Sequence, residues 1–187
     1  MEHYDQSKIG RCISWTGDHN VYAYGTDEVI KFSKFDFFLG YEKTKHKAIS
    51  DIEICKKFFG TYLLETRVVS SAYERRVALV QKRVAGRFLS KRDLQNSTIV
   101  DQFAEIMTAY RRLLAERHAY IDLIGGRGAL SGTMSNIFID DADKLIFFDA
   151  TIFELTDFHP VWRVFLWPLF TLAYILQRAT IKRFEST

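Results

Sequence analysis

Apolar positions along this chain change their period several times, and each change marks an element. Between residues 10 and 35 the pattern is short and strand-like: Val21-Tyr22-Ala23-Tyr24 and Val29-Ile30-Lys31-Phe32, separated by Gly25-Thr26-Asp27 and preceded by Gly17-Asp18-His19-Asn20. β-Branched and aromatic residues bounded by turn formers predict a meander with tight turns. From 43 to 59 the period becomes helical, with Ile49, Ile52, Cys55 and Phe59 on one face and Gly60 placed to end the helix. Tyr62-Leu63 and Arg67-Val68-Val69 predict short extended segments. Arg76 to Gln81 predicts a further strand that runs into Val84 to Leu89.

Ser97 to His118 predicts the longest helix. Ser97 or Thr98 is placed to cap it, Asp101 supports its first turn, and Ile99, Phe103, Ile106, Tyr110, Leu113 and Leu114 form its apolar face. A glycine-rich loop follows, Gly125 to Gly132. Then two apolar runs, Ile137 to Ile139 and Leu145 to Phe148, flank the acidic turn Asp140-Asp141-Ala142-Asp143. This predicts a β-hairpin with Asn136 before its first strand and Asp149 after its second. The order is three strands, a helix, two strands, a connector, a long helix, a loop and a hairpin. The class is α+β, with a sheet half over 1–86 and a mostly helical half over 87–187 in one domain overall.

Composition changes this picture little. The 187 residues are 48% hydrophobic and 26% charged, with 16 Phe and 2 Pro, which suits a globular chain and excludes low-complexity sequence. A net charge of +3 is too mild to imply nucleic acid, so no nucleic-acid partner is expected. Cys12 and Cys55 are too far apart to suggest a metal site or a disulfide framework. The polar start, Met1 to Gln6, shows no signal peptide, and a cytoplasmic location is expected.

The chemistry is carried by the hairpin. An amide oxygen from Asn136 and a carboxylate from Asp149 form a ligand pair suited to Mg²⁺, which keeps positions for phosphate oxygens. Asn and Asp are also ordinary turn residues, so the hairpin alone is a weak signal. A phosphotransferase further needs a cation on a strand for the phosphates and an acid on the next helix to fix that cation. Lys31 and Glu53 stand at those places.

At this point the chain resembles the protein-kinase-like superfamily, closest to its small bacterial and aminoglycoside-phosphotransferase-like members. Gly17-Asp18-His19-Asn20-Val21-Tyr22 is similar to a shortened phosphate-covering turn, Val29-Ile30-Lys31 to the strand with the family lysine, and Glu53 to its helix partner. Leu79 to Gly86 is similar to the hinge beside the adenine, and Asn136 and Asp149 match the catalytic-loop Asn and the metal-binding Asp. The resemblance spans roughly residues 10 to 155. It implies a reduced two-lobed fold: an antiparallel N-lobe sheet with one helix, and a small, mostly helical C-lobe. It implies ATP and Mg²⁺ as cofactors, with Asn20, Val21, Lys31, Glu53, Gln81 and Arg83 near the nucleotide and Asn136 and Asp149 on the metal. The implied activity is phosphoryl transfer to a hydroxyl of a small molecule, lipid or protein. The alternative is a catalytically inactive pseudokinase acting as a binding or regulatory module.

The departures from that pattern matter. Five residues before Asn136 the family carries its catalytic Asp; here stands Ser131, with Ala129 at the family His position. A serine hydroxyl is no carboxylate base near neutral pH. Asp122 has two readings: a carboxylate brought into the cleft by a rearranged loop, or a residue that ends the preceding helix. Asp149 is followed by Ala150-Thr151 and not by Phe-Gly. His118 reads as a dipole-complementing residue at a helix end, and His19 as a turn residue.

Residues 161–176 are strongly apolar and include Trp162 and Trp167, with Pro168 inside the run and Arg178, Lys182 and Arg183 after it. From Val164 to Leu176 no charge occurs, which falls short of the roughly 20 residues of a spanning helix. The segment suits either peripheral membrane contact or a helix packed under the second lobe. The expectation adopted is a core helix with a partly exposed face.

Overall fold

The computed structural model of the chain describes residues 2–15, 19–34, 39–71, 75–117, 119–125, 128, 132–154 and 159–186. Two compact units divide it: Met1–Glu53 with Leu64–Val84, and Ile54–Leu63 with Ala85–Thr187. The class is mixed α+β, with a largely antiparallel sheet in the first unit and helices with small sheets in the second.

The first unit is built on a six-stranded sheet of β1 (Glu2–His3), β2 (Ile9–Trp15), β3 (His19–Tyr24), β4 (Glu28–Ser33), β5 (Thr66–Ser70) and β6 (Val77–Lys82), in the order β1-β5-β6-β4-β3-β2. The predicted hairpin is present: β3 pairs with β4 from His19↔Ser33 to Tyr24↔Glu28 and closes on Gly25-Thr26-Asp27. Gly25 has φ 60°, a left-handed turn position that costs glycine no Cβ clash. β1 is an addition to the predicted strands, and it pairs parallel to β5 through Glu2↔Val69 and His3↔Ser70. A two-residue strand has no period to read, and its partner lies far along the chain. At the opposite edge, β2 is irregular between Ile9 and Cys12 and between Cys12 and Ser14. Such bulges blunt an edge against pairing with other chains.

Strand alternation divides β4 between the two faces of the sheet. Ile30 and Phe32 enter a cluster with Tyr4, Tyr24, Val69, Ala78 and Val80. Phe32 meets Tyr4 and Tyr22 edge-on at 5.4 and 5.8 Å, and the Arg76 guanidinium lies 4.5 Å from its ring centroid. Burial of Ile30 and Phe32 contributes about 1.5–3 kcal/mol each. Lys31 is turned to the other face.

Helix α1 (Tyr41–Phe59) contributes residues to both units and ends at Gly60, whose φ of 54° admits the reversal. Its buried stripe is Thr44, Asp51, Cys55, Phe58 and Phe59, whereas the expected Ile49 and Ile52 are only half-buried. Tyr62, expected in an extended segment, closes a 3₁₀ turn over Gly60–Tyr62, and only Leu63 is extended, bridging parallel to Phe147.

In the second unit β7 (Arg87–Ser90), β9 (Thr133–Ile139) and β10 (Leu145–Phe147) form one sheet in the order β10-β9-β7. A short pair joins β8 (Tyr120–Ile121) to β11 (Ile152–Phe153). Helix α2 (Ser97–Arg117) buries Ile99, Phe103, Ile106, Met107, Tyr110 and Leu113; Leu114 stays half-buried and Met107 takes its place. Its cap is Asn96, in place of the expected Ser97 or Thr98: the Asn96 Oδ1 accepts from the Thr98 N–H at 3.0 Å. Asn96 already has extended backbone angles, which an N-cap requires.

Helix α3 (Pro160–Glu185) runs on through Pro168. It docks by its last turns, where Gln177, Ile181 and Phe184 are buried and Phe184 lies 6.0 Å from Phe103. Of the expected core helix with a partly exposed face, the exposed face is seen: Val164, Phe165, Trp167, Leu172, Ile175 and Leu176 are exposed, from 43% for Leu176 to 73% for Val164; the side chains of Val161, Trp162, Leu166, Leu169 and Phe170 lie outside the described residues. Among the described residues no helix is long and apolar enough to cross a membrane.

Candidate functional site

The hairpin β9–β10 pairs Ile139↔Leu145, Phe138↔Ile146 and Ile137↔Phe147. Asn136 therefore lies within β9 and not before it, because β9 extends back to Thr133 to pair with β7. The Phe148 N–H donates to the Asn136 carbonyl at 3.4 Å, so Asp149 is the second residue beyond the end of β10 and emerges next to the Asn136 rung. The Asp149 Oδ1 accepts from the Thr151 N–H at 3.0 Å, which turns the chain toward β11.

Asn136 is buried to 9% exposure, and its amide is oriented by the preceding loop. The Nδ2 donates to the Asp122 carbonyl at 2.7 Å. Gly125, with φ 64°, packs against the same amide; a Cβ there would stand 3.1 Å from Asn136 Oδ1. Among the described residues no donor reaches that Oδ1. An amide bonded through its nitrogen alone among the described residues, at the end of a hairpin and beside a carboxylate-bearing turn, offers an oxygen donor set that fits a hard divalent cation. Among the described residues no group of three or more His, Cys, Asp or Glu gathers as a metal site.

Asp122 does not end α2; β8 and Ala119 intervene. Its Oδ1 accepts from the Ile124 N–H at 3.0 Å and the Gly125 N–H at 2.9 Å. Its carboxylate thus braces the loop whose peptide oxygen holds Asn136. Burial, and after it the Asp122 charge, raises the Tyr120 hydroxyl well above the usual phenol range. Burial likewise pushes the Tyr110 hydroxyl up to about 12.

Ser131, Ala129 and His118 lie outside the described residues, as do Gly17 and Asp18 of the first turn.

In the first unit Lys31 stands on β4 opposite Val21 of β3 and Leu79 of β6, on the face away from Ile30 and Phe32, and it is buried. Val29 pairs with Gln81 on that same face. The Gln81 amide is fully packed, and its Nε2 donates to Thr66 Oγ1 at 2.7 Å, so the side chain ties β6 to β5. Asn20 pairs with Phe32 on the opposite face, and its Oδ1 is buried without a hydrogen-bond partner among the described residues. Arg83 is exposed, with its N–H donating to the Asp27 carbonyl at 2.7 Å.

Glu53, the expected helix partner of Lys31, is exposed and enters no ion pair among the described residues. The buried acid of α1 is Asp51, paired with Lys47 at 3.1 Å one turn earlier. The signal was present in the sequence as spacing: Thr44, Asp51 and Cys55 recur at helical intervals, on the stripe to which Cys55 and Phe59 already belonged.

No protein-family model matches the chain, and no curated protein matches it. Among solved structures it is similar to the apo form of PpkA-294, at 16% identity over 80% of this chain and 60% of that chain, with a TM-score of 0.46. It is also similar to the GDP and kanamycin complex of APH(2″)-IIia, at 14% identity over 54% of this chain and 35% of that one, with a TM-score of 0.39. The chain thus spans less than two thirds of the length of either.

Proposed function

We propose that this chain is a minimal kinase-like protein that binds ATP with Mg²⁺ and transfers a phosphoryl group to a hydroxyl of a small molecule, lipid or protein. The observation that carries the reading is the Asn136 amide: its nitrogen is held by the Asp122 carbonyl while its oxygen accepts from no described residue, next to the Asp149 turn. Asn136 Oδ1 and Asp149 are the residues that would hold the metal. Mg²⁺, when bound, neutralises charge on phosphate oxygens. Lys31 would supply a buried cation for the phosphates, with Glu53 as the acid on the following helix; Asp51 of that helix pairs with Lys47. Val21, at the Lys31 rung, gives apolar cover, and Asn20 carries the unpaired Oδ1 of that strand. Gln81 and Arg83 contribute through the backbone of the segment that ends β6, since the Gln81 side chain is engaged with Thr66.

Titration of ATP with and without Mg²⁺ tests the reading. Asp149→Ala should weaken Mg²⁺-dependent binding roughly tenfold or more; unchanged affinity would remove the metal assignment. A rival reading, a binding module without transfer, draws on one observation: the Asp122 Oδ1 is committed to two backbone N–H groups of its own loop. Incubation with labelled ATP separates the two, because the rival predicts no transfer or hydrolysis above the Asp149→Ala background.

A further inference from the structure

The outward face of α3 has two halves. Val164, Phe165, Trp167, Leu172, Ile175 and Leu176 are exposed along its first turns, opposite the side on which Gln177, Ile181 and Phe184 are buried. Seven residues on from Thr171, Ile175 and Leu176, at positions that share a helix face, stand Arg178, Lys182 and Arg183, all exposed. An uncharged apolar stripe therefore passes directly into a basic one. The helix holds four basic residues and a single acid, Glu185, and that acid is bound by Arg111.

We infer that this face of α3 lies on an anionic lipid surface, with the apolar half entering the acyl boundary and the basic half meeting lipid phosphates. Exposed large side chains in a continuous stripe cost solvation free energy in water that an interface recovers. Trp167 suits the headgroup level, where an amphipathic ring has one apolar side and one wet one. Charge decides between occupants. A second copy of the same face offers no acid to meet Arg178 and Lys182, whereas anionic headgroups do.

The test is co-sedimentation of the full chain with vesicles of phosphatidylcholine alone or with one quarter phosphatidylserine. The chain should sediment with the anionic vesicles and remain largely in solution with the neutral ones. Phe165→Ser with Trp167→Ser should abolish sedimentation. Arg178→Glu with Lys182→Glu should weaken it by at least about 25-fold, at roughly fivefold for each basic residue at the surface. Because all four positions are exposed, the variants should keep the parent's thermal transition; Leu172→Ser replaces the double variant if that one unfolds. Three results would overturn the inference: no sedimentation of the parent with anionic vesicles, binding that is indifferent to the charge reversal, or a concentration-dependent dimer that Phe165→Ser with Trp167→Ser dissolves.

Discussion

Replacing Gln177 by Leu should cost about 2–8 kcal/mol of unfolding free energy, although the two side chains are of similar size. Gln177 has no solvent exposure, and its amide is saturated. The Nε2 donates to the Tyr110 hydroxyl at 2.9 Å and to the Ile121 carbonyl at 2.8 Å, while the Oε1 accepts from the Leu123 N–H at 2.8 Å and from the Tyr120 hydroxyl at 3.2 Å. Leucine leaves all four partners behind. Each buried orphan costs about 1–3 kcal/mol. Counting the two backbone groups and the Tyr110 hydroxyl, and subtracting about 1 kcal/mol for the added apolar burial, gives the stated range. That is a large share of a typical total of roughly 5–15 kcal/mol. Urea unfolding followed by circular dichroism reads the loss. A cycle with Tyr110→Phe tests the cause: the Phe substitution should be costly in the parent and nearly neutral in the Gln177→Leu background, a coupling of about 1 kcal/mol or more. A loss below about 1 kcal/mol, or strict additivity with Tyr110→Phe, would refute the account of stranded partners.

Gly86→Ala should destabilise the second unit by about 2 kcal/mol or more, since its φ is 153° and a Cβ would stand 2.2 Å from the Ile139 carbonyl oxygen; thermal unfolding of the variant checks this. Tyr62 donates to Glu105 at 2.7 Å, and burial, aided by that carboxylate, pushes its hydroxyl up to about 12. The folded value is above the free one of 10.0, so this contribution is complete below pH 10 and lost as pH rises toward 12; Tyr62→Phe should flatten that part of the stability–pH profile measured by urea titration.

The elements legible in the sequence are those whose pattern is local. The β3–β4 hairpin and the α2 stripe need only their own residues to show a period, and both stand within a residue or two of where the pattern puts them. What could not be read depends on distant partners. β1 exists because β5 offers it an edge, and nothing in Glu2-His3 shows that. Asp51 is buried and Glu53 exposed, and nothing local in the sequence separates two neighbouring acids on one helix. In the apolar run before Leu176 hydrophobicity does not say which face is covered; among the described side chains of that helix the buried ones are Gln177, Ile181 and Phe184. Beside the candidate site the hairpin that carries Asn136 and Asp149 at its ends is legible in the sequence, whereas the contact of Asn136 with the Asp122 backbone, fourteen positions away, is not.

The contact between Asn136 Nδ2 and the Asp122 carbonyl also sets which chemical groups can occupy that rung. A peptide oxygen can only accept, so the atom facing it at 2.7 Å must donate. Aspartate has the same shape as asparagine but brings a second acceptor there, and the two oxygens would repel. Hydrolysis of the amide during storage would make that same change with no mutation at all. Loss of one ammonia equivalent at Asn136 would then turn a donor–acceptor pair into a clash, push the side chain off its seat beside Gly125, and undo the orientation of Oδ1 while leaving the hairpin's backbone ladder in place.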